Sequence, residues 1–167
     1  MIRAAILVIS DSCFSGARQD ASGRALVSRC TSQGWQVVLE EILPDEPAAV
    51  SRRLSQLADS GDADLILTTG GTGIAARDST PEATRAVLEK ELPGLPELMR
   101  TEGLRHTRRA VLSRAVAGTR RRSLIVNLPG SPKGAMQSLD AILDLVPHIV
   151  ELLQGRTAHP QETERTP

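Results

Sequence analysis

The sequence is poor in aromatic residues, cysteine and lysine. Its 167 residues include one Trp, one Phe, no Tyr and two Cys. Two aromatic residues offer no stacking platform for single-stranded nucleic acid. Cys13 and Cys30 have neither CxxC nor Cys/His ligand spacing, which argues against a disulfide framework and against a zinc site. We therefore expect a reduced, cytoplasmic protein.

Net charge and long apolar runs are also absent. Lys+Arg and Asp+Glu number 20 each, whereas a general nucleic-acid binder carries a strongly basic domain. No apolar run reaches the roughly 18 residues that span a membrane. Residues 1–10 pass directly into Asp11 without a small-residue cleavage site, so we interpret them as a first strand rather than a signal peptide. We expect no nucleic-acid and no membrane partner.

What the chain does contain is an alternation of strand-length apolar runs with segments of helical period. This alternation is typical of βαβ units and predicts an α/β domain with a mostly parallel sheet. Predicted strands cover residues 4–10, 35–43, 64–69 and 123–128. Predicted helices cover residues 22–33, 79 to about 91, 96 to about 109 and 136–153, the last broken or kinked at Pro147. A further helix is predicted after residues 44–47, with its end near Gly61. Residues 110–118 are expected to be extended.

Two boundaries are predicted from local signals. Ser79 and Glu82 have capping-box spacing, and Pro81 suits the first turn of a helix, so a helix should start there. From residue 156 onward the sequence is polar and has no apolar period. We therefore expect one domain over residues 1–155 and a disordered tail over residues 156–167.

Four loops follow the predicted strands, at residues 10–12, 44–46, 70–78 and 129–134. Ligands of open α/β sheets bind beyond the carboxyl ends of the strands. The loop of Gly70, Gly71, Thr72 and Gly73 allows a ligand close to the backbone, with N–H groups available to phosphate oxygens. It is neither a Walker A loop nor a GxGxxG fingerprint, and a plain tight connection is the alternative.

The loop at residues 129–134 is a second candidate for anion binding. Ser131, Pro132 and Lys133 place a hydroxyl and one of the two lysines at the start of a helix. Free N–H groups and the helix dipole favour an anion at such a position. A rigid turn with a surface lysine is the alternative.

Asp45 and Asp78 lie one βα unit apart and should share the same edge of the sheet. Mg²⁺ prefers a few carboxylates together with water and substrate phosphates. Each aspartate alone is better explained as a residue that stabilises a helix N-terminus. Their coincidence beside two candidate phosphate loops favours metal–nucleotide chemistry.

Other reactive residue types form no recognisable constellation. His106 and His148 have no Ser or Cys partner in a recognisable nucleophile elbow, so a hydrolase triad is not supported. Cys13 is either a nucleophile near a strand end or, more simply, a packed thiol. The arginines between residues 100 and 122 are explained by a solvated or subunit-facing surface, with contact to an anion as the alternative.

Three motifs in a fixed order carry a resemblance to a known family. They are residues 68–73 (TTGGTG), 77–84 (RDSTPEAT) and 128–134 (LPGSPKG). Further matches lie at residues 9–12, 20–23, 44–46, 93–94, 112–115 and 118. Over residues 2 to about 155 the chain resembles the molybdopterin adenylyltransferases, which are the Mog- and MoaB-like proteins and the G domains of gephyrin-type proteins.

The resemblance implies a three-layer αβα domain, the molybdenum cofactor biosynthesis protein fold, that assembles as a homotrimer. It implies transfer of AMP from MgATP to the molybdopterin phosphate with release of pyrophosphate, and hand-off to a molybdate-inserting protein. Gly70, Gly71, Thr72 and Gly73 would hold the nucleotide phosphates. Asp45 and Asp78 would be the catalytic carboxylates, holding Mg²⁺ or ordering the attacking phosphate. The expected molybdopterin-binding residues are Ser10, Asp11, Ser12, Asp20, Ser131, Pro132 and Lys133.

Two other functions are compatible with the same resemblance. One is a protein that binds molybdopterin without adenylating it, and the other is a CinA-like nucleotide pyrophosphatase. Retention of both Asp45 and Asp78 argues against pure binding, because a binder needs no metal-ready pair. Dependence of turnover on the pterin separates the transferase from the hydrolase.

Overall fold

Six strands form one sheet in the computed structural model, which describes residues 1–156. The strands are β1 (Arg3–Ile9), β2 (Gln36–Leu43), β3 (Leu65–Thr69), β4 (Lys90–Glu91), β5 (Ala117–Arg120) and β6 (Ser123–Leu128). Their spatial order is β2, β1, β3, β6, β5, β4. The first four in that order are parallel, and β5 is antiparallel to both of its neighbours. The predicted mostly parallel sheet is confirmed.

Helices cover both faces of this sheet. They are α1 (Asp11–Phe14), α2 (Ser22–Ser32), α3 (Pro47–Ser60), α4 (Thr80–Arg85), α5 (Gly94–Gly103), α6 (Pro132–Ile142) and α7 (Val146–Leu153). A short 3₁₀ helix spans Arg108–Leu112. Across residues 1–156, no helix combines the length and the hydrophobicity needed to cross a membrane.

Strand side chains alternate between two apolar cores, as the period of two requires. Ala4 and Ile6 of β1 face α2, α5, α6 and α7. Ala5 and Leu7 face α3 and α4. Because both faces are covered, β1, β3 and β6 read as continuous apolar runs, which is typical of buried parallel strands. The three-layer αβα fold expected from the resemblance is confirmed.

The register of the parallel strands brings their carboxyl ends to one edge. Val8 of β1 pairs with Thr69 of β3, and Thr69 pairs with Leu128 of β6. The loops that follow these strands are therefore neighbours in space. β2 pairs with β1 up to Leu43, so the loop after β2 lies at the same edge, next to the loop after β1.

The predicted helix over residues 79–91 is wrong in its second half. α4 ends at Arg85, and Lys90–Glu91 instead form a short strand that pairs with Gly118 and Thr119. The capping box is also wrong, because Ser79 precedes α4 without making a side-chain cap. The Glu82 carboxylate binds Arg114 instead. Pairing with β5 and an ion pair outweigh local helix signals in this segment.

The predicted helix over residues 96–109 starts earlier and is divided. α5 covers Gly94–Gly103, and the chain turns back into the 3₁₀ helix. Gly103 permits this return, because a Cβ at this residue would lie 2.8 Å from the Ala110 Cβ. Of the predicted extended residues 110–118, the first three are thus helical, and the strand conformation begins at Ala117.

Two further boundaries differ from the prediction. The last helix breaks at residues 143–145, ahead of Pro147, which occupies the first turn of α7, where proline is tolerated. Ser10 does not extend β1 but caps the unpredicted α1, its Oγ accepting the Cys13 N–H at 3.2 Å. The predicted disordered tail lies outside the described residues apart from Arg156.

Candidate active site

The ends of β1, β3 and β6 are locked together at the glycine-rich loop. The Gly70 N–H donates to the Leu128 carbonyl at 3.1 Å, and the Thr69 hydroxyl donates to the Pro129 carbonyl at 2.7 Å. Gly70 has φ +105°, and a Cβ there would collide with the Ile9 carbonyl oxygen. No other residue type fits this position, so the glycine serves the contact between strand ends as well as the loop conformation.

The carbonyl and N–H groups of this loop are used differently. The carbonyls of Gly71, Thr72 and Gly73 accept from Thr80 N–H, Arg114 N–H and Arg114 Nε at 3.1, 2.9 and 2.8 Å. Within residues 1–156, no acceptor is bonded to the N–H groups of Gly71, Thr72, Gly73 or Ile74. A loop whose acceptors are satisfied and whose donors are free presents positive partial charge, which suits phosphate oxygens.

Two cavities open on either side of this loop. The first, about 520 Å³, lies beyond β1, β2, β3 and β6 and is called the polar cavity because charged side chains stand in its wall. The wall includes Ser10, Arg18, Asp20, Ser22, Asp45 and Pro132. The second, about 460 Å³, is more apolar; its walls include Met99, Arg100, Ala110, Leu112, Ser113 and Gln137. Gly71, Asp78, Gly130 and Ser131 line both cavities.

Asp45 is held at the polar cavity by Asp11. The Asp11 N–H donates to Asp45 Oδ2 at 2.8 Å, and the Asp45 N–H donates to Asp11 Oδ1 at 3.0 Å. Arg77 donates to both oxygens of Asp11, at 2.6 and 3.1 Å. Burial, and then the charges of Asp11 and Asp78, raise the pKa of Asp45, against the lowering effect of the Asp11 N–H. Hydrogen bonds from Arg77 lower the pKa of Asp11.

Asp78 stands at the shared edge of the two cavities. Its Oδ2 accepts the Ala75 N–H at 2.9 Å, which fixes the carboxylate beside Gly73. Oδ1 of Asp78 and Oδ1 of Asp45 accept no hydrogen bond from any residue between 1 and 156. Two free carboxylate oxygens on one cavity fit Mg²⁺, which takes one or two carboxylates together with phosphate oxygens and water. Among the described residues, no group of three or more His, Cys, Asp or Glu forms a self-contained metal site.

The structure divides the predicted molybdopterin-binding residues. Ser10, Asp20, Ser131 and Pro132 line the polar cavity, whereas Asp11, Ser12 and Lys133 line neither cavity. Asp11 is turned toward Asp45 and Arg77, and Ser12 Oγ lies 3.2 Å from Ser10 Oγ. Lys133 is exposed on the first turn of α6.

Helix caps account for part of these side chains. Asp20 Oδ1 accepts the Gly23 N–H at 2.9 Å at the start of α2. Ser131 Oγ accepts the Gly134 N–H at 3.1 Å at the start of α6. Capping and cavity lining are compatible, because each side chain retains exposed polar atoms at the cavity wall.

Sequence analysis missed several residues that build the site. Arg77 binds Asp11 in the loop after β1, and Arg114 binds Gly73 in the glycine-rich loop. Asn127 of β6 is hydrogen-bonded to α4. Asn127 is fully buried and donates to Thr68 Oγ1 and Thr84 Oγ1, each at 2.9 Å. The apolar wall of the second cavity was also missed, because much of it comes from α5 and the 3₁₀ helix, and the prediction divided the 3₁₀ helix between a helix over residues 96–109 and an extended segment over residues 110–118.

The fold and the site together define a three-layer α/β protein with two cavities that meet at the carboxyl edge of its parallel strands. A family model described as "Probable molybdopterin binding domain" matches residues 5–148. The chain belongs to this family.

Individual relatives support that assignment. The chain is 42% identical over 157 residues to the molybdopterin adenylyltransferase of Helicobacter pylori J99, covering 92% of this chain and 89% of the relative. It is 39% identical to that of Escherichia coli K12, covering 92% and 86%. The crystal structure of the molybdopterin biosynthesis enzyme MoaB from Thermus thermophilus superposes with a TM-score of 0.88 at 52% identity, covering 93% and 98%.

Proposed function

We propose that this protein is a molybdopterin adenylyltransferase of molybdenum cofactor biosynthesis. The observation that carries the proposal is the pair of cavities that meet at Gly71, Asp78, Gly130 and Ser131. A nucleotidyltransferase needs two substrates whose reacting phosphates touch at one point, and two adjoining cavities supply that geometry. Relatives at 39–42% identity that carry this name support the same reaction.

The reaction joins the two substrates through one phosphorus atom. A phosphate oxygen of molybdopterin attacks the α-phosphorus of ATP, the bond from that phosphorus to the bridging oxygen breaks, and pyrophosphate leaves with the electron pair. No protein nucleophile is required, because such a transfer depends mainly on positioning and on stabilisation of charge. The free N–H groups of Gly71, Thr72 and Gly73 stabilise the phosphate charge from one side.

Asp45 and Asp78 are the residues that would hold Mg²⁺. When bound there, the ion neutralises phosphate charge and favours departure of pyrophosphate. Each aspartate has one carboxylate oxygen fixed by a main-chain N–H and the other free. The fixed oxygen sets the direction of the free one, so the ligands are in place before the substrates arrive.

The remaining predicted residues divide by position. Ser131 and Pro132, together with Ser10 and Asp20, contact the pterin side of the complex. Lys133 lines neither cavity, so it would contact molybdopterin with the end of its exposed side chain on α6. Asp11 and Ser12 act on Ser10 and Asp45 rather than on a substrate.

We also propose that the protein works in the cytoplasm as a homotrimer and passes its product to a molybdate-inserting protein. Cys13 and Cys30 are both free thiols, which suits a reducing compartment. The adenylated pterin is an activated phosphoric anhydride, so a second protein that consumes it protects it from hydrolysis.

The test is pyrophosphate release from MgATP with and without molybdopterin, combined with mass detection of the adenylated pterin. Release that requires molybdopterin and forms the adenylated product is the expected result. Pterin binding without product would favour a binding protein. Release of nucleotide from a diphosphate such as ADP-ribose in the absence of pterin would favour a hydrolase.

Asp78→Asn tests the assignment of the carboxylate. The amide oxygen can still accept the Ala75 N–H, so the loop is retained while the charge is lost. We expect unchanged molybdopterin binding and a fall in adenylyl transfer of about 100-fold or more. Asp62→Asn is the matched control, because this exposed aspartate lies before β3, at the opposite edge of the sheet. Wild-type turnover in Asp78→Asn would remove Asp78 from the mechanism.

A further inference from the structure

Arg114 binds the glycine-rich loop at several points from outside the cavities. Its main-chain N–H donates to the Thr72 carbonyl at 2.9 Å. Its Nε donates to the Gly73 carbonyl at 2.8 Å, and its Nη2 donates to the Asp78 carbonyl at 2.9 Å. The guanidinium also binds the Glu82 carboxylate. Arg114 thereby joins the glycine-rich loop, the Asp78 carbonyl and the first turn of α4.

The three carbonyls bound by Arg114 determine where the following N–H groups point. In a trans peptide the C=O and the next N–H point in opposite directions, and the described chain contains no cis peptide. The N–H groups of Gly73, Ile74 and Ser79 are therefore directed away from Arg114. None of these three groups has an acceptor within residues 1–156.

The three residues whose carbonyls Arg114 binds all line the apolar cavity: Thr72, Gly73 and Asp78. Gly73 and Asp78 line the apolar cavity, and Asp78 also lines the polar one, whereas Arg114 lines neither. Of the three donors, the Gly73 N–H belongs to a residue of the cavity wall, whereas Ile74 and Ser79 line neither cavity.

We propose that Arg114 is a positioning residue whose guanidinium holds the peptide groups of Gly73 and Asp78, two residues of the cavity wall, in the conformation that binds the phosphates of the nucleotide. The inference rests on the proposed function for the identity of the ligand. Arg114 itself makes no contact with the substrate in this proposal. Its positive charge is neutralised by Glu82, so its effect on the phosphates is exerted through the peptide groups.

The geometry requires arginine rather than any cation. The guanidinium donates in three separate directions within one plane, to two carbonyls and a carboxylate. A lysine ammonium is a single point at the end of a flexible chain and cannot span these acceptors. Arg114→Lys therefore retains the charge and the main-chain bond to Thr72, and loses the guanidinium bonds that hold the Gly73 and Asp78 carbonyls.

Arg120 supplies a matched control. Its guanidinium also binds a main-chain carbonyl, that of Val87 at 3.1 Å, and a carboxylate, that of Asp59 at 2.8 and 3.0 Å. It lies at the end of β5 and lines neither cavity. Arg120→Lys removes the same kinds of bonds without disturbing the loop.

The experiment measures ATP and molybdopterin binding by calorimetry and adenylyl transfer by steady-state kinetics for both variants and the wild type. For Arg114→Lys we expect ATP binding and kcat/KM for ATP to fall at least about tenfold, while molybdopterin binding stays within about twofold. Arg120→Lys should retain all three values. Unchanged ATP binding in Arg114→Lys, or an equal loss in Arg120→Lys, would overturn the proposal.

A second measurement is independent of the reaction. In ¹⁵N relaxation of the ligand-free protein, the amides of Gly73 and Ile74 should be rigid in the wild type and in Arg120→Lys, and mobile in Arg114→Lys. Rigid amides in Arg114→Lys would contradict the role of Arg114. If the wild-type protein formed no adenylated pterin, the proposed function would be contradicted. The relaxation measurement on the ligand-free protein would still test whether Arg114 orders the loop.

Discussion

Asp11 and Asp45 exchange two hydrogen bonds that run in opposite directions, each from the main-chain N–H of one residue to the carboxylate of the other, at 2.8 and 3.0 Å. This exchange joins the loop after β1 to the loop after β2. It also brings two negative charges close together, and Arg77 offsets only the charge of Asp11 directly.

Asp11→Asn should move the acid limb of the pH–activity profile to lower pH. Burial is the main reason that the pKa of Asp45 is raised, and the charge of Asp11 adds to it. The substitution removes that charge and frees Arg77, and both changes lower the pKa of Asp45, so the carboxylate stays ionised in more acidic solution. The measurement is kcat/KM for adenylyl transfer against pH, with Asp62→Asn as control. An acid limb that stays in place or moves to higher pH would contradict the role of Asp45.

Gly71→Ala should damage activity far more than Gly61→Ala. The two glycines have similar φ, +67° and +72°. A Cβ at Gly71 would collide with Thr80 Oγ1 and lie 3.2 Å from Asp45 Oδ1, whereas a Cβ at Gly61 has no atom within 4 Å. Both variants should lose about 1 kcal/mol of unfolding free energy from the left-handed backbone, and Gly71→Ala should lose more because of the collision with Thr80. Only Gly71→Ala should also lose adenylyl transfer, by about 100-fold.

Equal activity of the two folded alanine variants would show that the space at Gly71 is unimportant. Denaturation in urea gives the unfolding free energies, and activity is compared at matched folded fraction.

Thr80→Val should leave the protein as stable as the wild type or make it more stable by about 1 kcal/mol. Among the described residues, Thr80 Oγ1 is the buried side-chain polar atom that has no hydrogen-bond partner. Replacing it by a methyl group removes an uncompensated desolvation cost at nearly constant volume. Thr84→Val is the contrast, because its hydroxyl accepts from Asn127 and donates to the Thr80 carbonyl.

We expect Thr84→Val to lose about 1–3 kcal/mol of unfolding free energy. Both threonines belong to α4 and are buried. If chemical denaturation ranked the two variants in the reverse order, the hydrogen-bond assignment around Asn127 would be wrong.

Asp64→Asn should destabilise the protein at neutral pH and much less in acid. Burial on its own raises the pKa of Asp64, but the hydrogen bonds from the Arg3 side chain and N–H outweigh it and hold the pKa below the ordinary value. The ionised carboxylate therefore contributes stability above its ordinary pKa, and this contribution disappears as the pH falls through the lowered value. We expect a loss of about 2 kcal/mol near pH 7.

Thermal or urea unfolding of Asp64→Asn across the acid range checks this sign. The free-energy difference from the wild type should shrink as the pH falls, whereas exposed Asp62→Asn should show little difference at any pH. A difference that grows in acid would contradict the ion pair with Arg3.

Most of the central sheet could be predicted from the sequence because its strands are buried on both faces. The apolar runs at residues 64–69 and 123–128 differ from the observed β3 and β6 by at most one residue. The largest failures are at residues 86–112, where tertiary contacts decide the conformation. Strand pairing at Lys90–Glu91 and the close approach of Gly103 to Ala110 leave no periodic signal in the local sequence.

The candidate site shows the same division. Glycines and aspartates that follow strands could be found from composition and position, as for Gly71, Asp45 and Asp78. Arg114 could not be given a role, because its partner Gly73 lies 41 residues away. An arginine on a surface and an arginine that binds three carbonyls look alike until the chain is folded.

The position of β6 also determines when these cavities can form during synthesis. β6 is inserted between β3 and β5, both of which precede it in the chain. A nascent polypeptide on the ribosome that has reached β5 contains the whole glycine-rich loop but not Gly130 or Ser131, which line both cavities. Non-local strand pairing of this kind is a late event in folding. A nascent chain therefore has both complete cavity walls only after β6 and the residues that follow it have been synthesised.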